Sequence, residues 1–314
     1  MSIFSKLFSF STEEEDSDIQ QKENNKKFDI LKHDGMRALN IRRADYAVKC
    51  FTEALKIEKD FETLKYLASA YITLNDLDNA LEILNLMVDE KEELSQTLLF
   101  RANTYFMLEK YSEAINDCNS VIDSDPDNYI AYFYLGKSNI AIKNYDKALE
   151  DFSKSISLKE EFTEAYMQRA ELYLTLNKRD EALNDVNIAI SQNPENEYAF
   201  LLQGRIHQFY NDFDSALNDF RNALELNPFN EDSYLLTVNL LKEQKEYLEA
   251  LNLLDEAIEH IETFADAYKQ RALIKKETGD DSGAAKDLEI YEELISDDEN
   301  SEPQGFVEVN KSII

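Results

Sequence analysis

The stretch LFRANTYFMLEKYSEAINDCNSVIDSDP, Leu99–Pro126, and its distant copy FLLQGRIHQFYNDFDSALNDFRNALELNP, Phe200–Pro228, decide the fold of this 314-residue chain. Each runs through an apolar stripe, a break, an alanine (Ala114 or Ala216), a second stripe and a proline. That alanine recurs at 47, 80, 114, 148, 182, 216, 250 and 284, a step of 34 residues except for a first step of 33. A fixed period of this length marks one supersecondary unit copied eight times, each copy packing only on its neighbours. Such a chain has no single core to build a catalytic pocket around, and function is expected on its extended surfaces.

With the alanine set at position 20, a first helix is predicted over about positions 1–14 and a second over about 18–31. On the first helix, positions 4, 8 and 11 are apolar, the spacing of one helical face. Position 4 is large (Leu31, Leu64, Leu98, Tyr132, Tyr166, Phe200, Tyr234, Tyr268) and position 8 small (Gly35, Ala68, Ala102, Gly136, Ala170, Gly204, Val238, Ala272). The three glycines at position 8 are expected to let the second helix approach closely. On the second helix, position 24 continues the face of position 20 with Phe51, Leu84, Cys118, Phe152, Val186, Phe220, Leu254 and Leu288. Pro126, Pro194 and Pro228, all at position 32, end second helices.

Arg occupies position 7 in the third, fifth and eighth units (Arg101, Arg169, Arg271), and each of these has Asp at position 23 (Asp117, Asp185, Asp287). Pairing within the hairpin is expected, at separations under about 4 Å, because a guanidinium fork can grip a partly buried carboxylate with two bonds. Asp151 and Asp219 take position 23 in the fourth and sixth units without that Arg.

Composition narrows the function classes. The formal net charge is −31, which disfavours nucleic acid, whose phosphates need Lys and Arg, and disfavours anionic lipid for the same reason. No run approaches the roughly 18 apolar residues of a membrane span, and the start MSIFSKLFSF lacks the pattern of a secretory signal. Cys50 and Cys118 sit inside helical patterns and suit buried reduced thiols, so a cytoplasmic setting is expected. His33, His207 and His260 lie in different units without ligands at metal spacing, and His207 occupies the slot of Tyr71, Tyr105 and Tyr173, which suggests packing. There is no glycine-rich phosphate loop and no nucleophile elbow. No catalytic residue, metal or cofactor is expected, and the chain reads as a non-enzymatic protein.

The pattern over Lys26 to about Ile295 resembles the tetratricopeptide repeat, carried most fully by the two segments quoted first. Trp is absent, and the first, second, fourth and seventh units lack the proline. The resemblance implies an all-α, right-handed α-solenoid of about eight helix-turn-helix repeats, spanning about 28–60, 61–94, 95–128, 129–162, 163–196, 197–230, 231–264 and 265–295. Residues 1–25 are expected as an N-terminal amphipathic segment, with Ile3, Phe4, Leu7 and Phe8 on one face, and an acidic linker. Residues 296–314 are expected as an acidic disordered tail. Lys286, Glu289, Glu292 and Glu293 are expected to give the last helix a polar outer face.

In that family the first helices line a concave groove through positions 2, 5, 9 and 12, and partner peptides lie there. Carried onto this chain, position 5 supplies Leu99, Phe133, Met167, Leu201 and Leu235, flanked by Lys32, Lys65 and Lys269. Position 9 supplies Asn103, Lys137, Glu171 and Arg205, and position 12 supplies Phe106 with Ile140 and Leu174. These apolar residues can equally pack against the neighbouring first helix. Some members clamp the acidic tails of chaperones with Lys and Asn at positions 5 and 9, Asn at 6 of the next unit, and Lys and Arg at 2 and 6 of the third. Here those places hold Lys32 and Met36, then Tyr66, then Gln96 and Phe100, so the clamp is expected to be absent. The resemblance thus implies a scaffold or adaptor holding a peptide or helix of a partner protein. The alternative is a structural array that self-associates through its ends or convex face.

Overall fold

A computed structural model describes residues 3–300, with side chains described over residues 20–296. Among the described residues there are sixteen helices and no strand. They are α1 (Ile3–Asn40), α2 (Ala44–Ile57), α3 (Phe61–Thr73), α4 (Leu77–Glu90), α5 (Leu94–Met107), α6 (Tyr111–Ser124), α7 (Tyr129–Ala141) and α8 (Tyr145–Leu158), followed by α9 (Thr163–Thr175), α10 (Arg179–Gln192), α11 (Glu197–Phe209), α12 (Phe213–Leu226), α13 (Glu231–Glu243), α14 (Tyr247–His260), α15 (Ala265–Glu277) and α16 (Asp281–Asn300). Odd-numbered helices are the first and even-numbered the second of each predicted hairpin, so the architecture is an all-α helical repeat array. The chain divides into two compact units between Ile142 and Lys143.

The recurrent alanine sits where the two helices of a hairpin approach most closely. Ala47, Ala80, Ala114, Ala148, Ala182, Ala216 and Ala250 are all 0% exposed, and only Ala284 of the last repeat reaches 4%. Two of the three glycines at position 8 show the close approach directly. A Cβ on Gly35 would lie 2.5 Å from the Phe51 ring, and one on Gly204 would lie 2.5 Å from Phe220. The size pairing is reciprocal: Gly35 and Gly204 face phenylalanine at position 24, while repeats with Ala68, Ala102 or Ala170 at position 8 carry Leu84, Cys118 or Val186 there.

The turn inside each hairpin has a backbone signature that the apolar pattern does not announce. Position 15 is left-handed in all eight repeats: Arg42, Asn75, Glu109, Lys143, Asn177, Asn211 and Lys245 have φ between 57° and 63°, and Gly279 has 90°. The next N–H reaches back five residues, as in Asp76 to the Tyr71 carbonyl and Asp212 to the His207 carbonyl, both 2.9 Å. This is the six-to-one bond that satisfies the orphan carbonyls of a helix end. Between hairpins, the prolines lie two residues past α6, α10 and α12. Two residues further on, Asn128, Asn196 and Asn230 cap the next first helix, accepting N–H bonds from Ala131 (3.2 Å), Ala199 (3.4 Å) and Ser233 (2.9 Å).

All three Arg–Asp pairs form, each with two bonds. Arg101 grips Asp117 at 2.8 and 2.7 Å, Arg169 grips Asp185 at 2.7 and 2.8 Å, and Arg271 grips Asp287 at 2.9 and 2.6 Å. The third arm of each fork reaches position 25 of the preceding repeat: Asn85 at 2.9 Å, Ser153 at 2.9 Å and Asp255 at 2.7 Å. One guanidinium therefore ties its own hairpin shut and fastens it to the hairpin before. In the sixth repeat the task is divided. Gln203 at position 7 bonds Asn187 of the preceding repeat at 2.7 Å, while His207 Nδ1 meets Asp219 at 2.6 Å. His207 is thus the polar partner of a buried carboxylate, where the sequence suggested packing; the vacant position 7 was the clue. Burial pushes the Asp219 carboxyl above the ordinary carboxylate range, against the pull of His207.

At the start of the array α1 runs unbroken across residue 25, where the linker was expected to end; the side chains of Ile3, Phe4, Leu7 and Phe8 lie outside the described residues. At the other end Lys286, Glu289, Glu292 and Glu293 are exposed on α16, which continues to Asn300, past residue 296 where the acidic tail was expected to begin; the rest of that tail lies outside the described residues.

Candidate functional site

The first helices carry the residues singled out for binding, and the structure sorts them into two kinds. Leu99, Met167 and Leu201 are only 5–8% exposed. Leu99 packs with Leu98, Val121 and Ala131, and Leu201 with Ala216, Phe220, Ala223 and Leu240. Position 5 is therefore mostly core between successive helices, not an open apolar floor, because a side chain there points along the seam where one hairpin stacks on the next. Leu235 is half-buried against the core of α13 and α14. The flanking lysines are occupied as well. Lys32 bonds Asp60 at 2.9 Å and Glu62 at 2.6 Å, Lys65 bonds Glu93 at 2.7 Å, and Lys269 lies 5.2 Å from the Tyr291 ring centroid. Burial lowers the Lys32 pKa, but the bonds to Glu62 and Asp60 outweigh it and hold the ammonium above its ordinary value.

Positions 9 and 12 remain accessible. In the N-terminal compact unit, the Lys137 ammonium of α7 stands 4.6 Å from the Phe106 ring of α5, 5.8 Å from Phe133 and 5.9 Å from Tyr134. All four side chains are half-buried, and Phe133 tilts against Tyr134 at 5.7 Å. The cluster bridges two successive first helices, and each cation–ring contact is worth roughly 0.5–1 kcal/mol where water reaches it. Asn103 of α5 points its amide to the Met107 sulfur at 3.9 Å. In the C-terminal compact unit, Glu171 of α9 accepts from the Tyr198 hydroxyl of α11 and from Gln168 at 3.0 Å. Burial and the Glu171 charge push the Tyr198 hydroxyl pKa well up. Arg205 is exposed about two turns further along α11. Met167, though buried, takes the Asn196 amide on its sulfur at 3.4 Å.

Tyr134 and Tyr198, each beside the candidate residues of its own unit, were missed, because positions 6 and 2 vary in character along the chain. A charge count over the helices would have pointed to part of it. From α3 to α15 the seven first helices hold ten Lys and Arg against nine Asp and Glu. The eight second helices hold seven against thirty. Acidity is thus concentrated on the second helices, and the first helices from α3 to α15 are nearly balanced in charge. Chemically these helices offer rings, amides and charged groups. Among the described residues no group of three or more His, Cys, Asp and Glu is placed to hold a metal, and no helix is long and apolar enough to cross a membrane.

Comparison with known proteins bears on the fold directly. Family models described as tetratricopeptide repeat match residues 101–160 and 201–272, and a second such model matches 163–196, together more than half of the chain. Among solved structures, a tetratricopeptide repeat protein from Parabacteroides merdae superposes with a TM-score of 0.60 at 19% identity, over 78% of this chain and 99% of that one. A thermophilic TPR protein of Thermus thermophilus superposes with a TM-score of 0.52 at 18% identity, over 58% of this chain and 99% of that one. At these identities the likeness is one of fold. No curated protein matches the sequence.

Proposed function

This chain belongs to the tetratricopeptide repeat family, and we propose that it is a protein–protein interaction scaffold that holds a peptide or helix of a partner on the accessible face of its first helices. The observation that carries this reading is the half-buried cluster of Phe106, Phe133, Tyr134 and Lys137, which spans α5 and α7. Large rings left partly open beside a cation are the groups that anchor interfaces, since each offers much area at little conformational cost. Asn103 supplies a polar contact that fixes the register of a segment bound there, and within the C-terminal unit Glu171 and Arg205 offer polar groups of their own. Leu99, Met167 and Leu201 serve it indirectly, by holding successive first helices in place. The protein acts without catalysis, as an adaptor inside the cell.

The test is affinity purification with mass spectrometry from the source cell, comparing the natural chain with the Phe106→Glu/Phe133→Glu double variant. Helicity by circular dichroism is to be unchanged, and the partner is to be lost. Retention of the same partners by a fully helical double variant refutes the assignment. A second reading, self-association through the N-terminal end, draws on position 3. Thr63, Thr97, Ala131, Ala165, Ala199, Ser233 and Ala267 are at most 2% exposed there, whereas Ile30 of the first repeat is 50% exposed, and Ile41 just past the end of the same helix is 71% exposed. Light scattering distinguishes the two, because Ile30→Lys/Ile41→Lys would dissociate such a multimer and leave partner capture intact.

A further inference from the structure

We infer that the C-terminal compact unit carries a docking surface of its own, on positions 5, 9 and 12 of α11, α13 and α15, for a partner segment bearing Asp or Glu beside an aliphatic residue. This rests on the scaffold reading only in taking the first helices as the binding layer. Every Asp and Glu of these three helices lies in the first two residues or at the last: Glu197, Glu231, Asp232, Glu243, Asp266 and Glu277. The remaining charged residues, His207 aside, are all cations: Arg205, Lys242, Lys269, Arg271, Lys275 and Lys276. Arg271 and Lys275 close on Asp287 of their own hairpin, at 2.6 and 2.9 Å. Of the other four, Lys242 bonds the Gln270 amide oxygen at 2.8 Å, Lys269 lies against the Tyr291 ring, and Arg205 and Lys276 are exposed. Among the described residues none of these four forms an ion pair, in a chain whose formal net charge is −31.

Positions 5, 9 and 12 are spaced to share one side of a helix. The three helices also pack in succession, since Leu201 of α11 shares a cluster with Leu240 of α13, and Lys242 of α13 bonds Gln270 of α15. Leu273, at position 9 of α15 between Lys269 and Lys276, is 48% exposed and gives an aliphatic side chain a seat. A partner carboxylate meets ammonium and guanidinium donors around it, where charge-assisted bonds form, while a partner Lys or Arg meets like charge. The acidic second helices do not cancel this: packed helices lie about 8–10 Å apart, and exposed charges beyond about 8 Å are largely screened at physiological salt. The field of the whole chain limits the segment to a few acids and opposes a long acidic tract. Lys242 and Lys276, at position 12, stand outside the places of the chaperone-tail clamp.

The test pans phage-displayed random dodecapeptides on the full chain in about 0.1 M salt, after removal of phage that bind the Arg205→Glu/Lys276→Glu variant. Retained peptides are expected to be rich in Asp, Glu and aliphatic residues and poor in Lys and Arg. The strongest is synthesised with a fluorescent label, alongside a version with Asn and Gln for its acids, and both are measured by anisotropy. The acidic peptide is to bind the natural chain about tenfold more tightly than the amide version, and to lose about tenfold on the charge-reversed variant. Arg205→Gln/Lys276→Gln takes its place if the reversed variant loses helicity by circular dichroism. Recovery of no peptide, peptides without an excess of Asp and Glu, equal affinity of the acidic and amide versions, or binding indifferent to the two cations overturns the inference. If the recovered peptides ignore Arg205 and Lys276 but are lost with Phe106→Glu/Phe133→Glu, the scaffold reading stands and the inference alone fails. Capture of acidic peptides that depends on the two cations, joined to unaltered cellular partners in the double Phe variant, upholds the inference and refutes the assignment to α5 and α7. Self-association by light scattering that the reversed variant abolishes makes a second copy the occupant and overturns the partner assignment.

Discussion

Replacing Gly204 with alanine tests how the hairpins close. The new Cβ would stand 2.5 Å from Phe220 Cε1, 2.6 Å from Cδ1 and 3.2 Å from the Ala216 carbonyl oxygen. Carbon atoms rest about 3.5–4.0 Å apart, so the ring must retreat by about 1 Å. Phe220 is 0% exposed among Leu201, Ala216, Ala223 and Leu240, so little space is open to it. Overpacking of this kind costs about 1–3 kcal/mol, and the better helix propensity of alanine returns about 0.5–1 kcal/mol, leaving a net loss of roughly 1–2 kcal/mol. Phe220→Leu alone removes three carbons from the core and costs about 2 kcal/mol at about 0.8 kcal/mol per carbon. The double variant recreates the pairing of Ala68 with Leu84, both 0% exposed in the second repeat, so it should cost about 1–2 kcal/mol less than the sum of the singles. Repeat arrays need not unfold in one step, so urea denaturation by circular dichroism is best joined to native-state hydrogen exchange of the α11 and α12 amides. Additivity of the two substitutions to within about 0.5 kcal/mol would falsify the claim that the glycine exists to admit the ring.

Arg169→Ala strands Asp185, which is 1% exposed, and should cost about 3–5 kcal/mol in urea denaturation, with Arg169→Lys recovering only part because an ammonium cannot hold both oxygens and Ser153 together. Asn211→Val forces a β-branched residue to φ 61° and should cost about 1–2 kcal/mol, read as a lowered melting temperature, whereas Asn211→Gly should be nearly neutral. Burial raises the Asp287 pKa, but Arg271 and Lys275 outweigh it and hold the carboxyl below its ordinary 3.8. Its contribution is therefore complete above pH 3.8 and lost as the pH falls through the lower folded value, and Asp287→Asn should flatten the acid limb of a stability–pH curve. Asp219 runs the other way: its folded pKa is raised, so its contribution is complete below 3.8 and lost as the pH rises through the folded value, a slope that Asp219→Asn should abolish.

The repeat was legible because close packing enforces it in every copy. Ala114 or Ala216 can be nothing larger where two helices touch, and a constraint repeated at a fixed period needs no tertiary knowledge to be seen. Arg101, Arg169 and Arg271 announced their partners for the same reason, since a guanidinium inside a packed hairpin must meet a carboxylate. The turn at position 15 stayed hidden because its requirement is a backbone dihedral, which Arg42, Glu109 and Lys245 satisfy as Asn75 does, at some cost and without a shared side-chain chemistry. The candidate face was the least readable part. Leu99, Met167 and Leu201 have the character of an apolar floor, and only the stacking of one hairpin on the next, a three-dimensional fact, turns them inward. Tyr134 and Tyr198 joined the candidate residues of their own units through their neighbours, not through any period of their own.

The three-armed arginines give the array a direction in time. Each of Arg101, Arg169 and Arg271 needs a carboxylate sixteen residues ahead of it and an acceptor sixteen residues behind. On a ribosome the acceptor behind is always made before the arginine, and the hairpin can lock as soon as its own second helix has left the exit tunnel. No hairpin so built waits for a later one to complete its clamp. A chain shortened from the C-terminus by whole hairpins keeps every remaining lock whole, while one cut from the N-terminus just ahead of an arginine's own hairpin leaves that arginine with an arm that has nothing to hold.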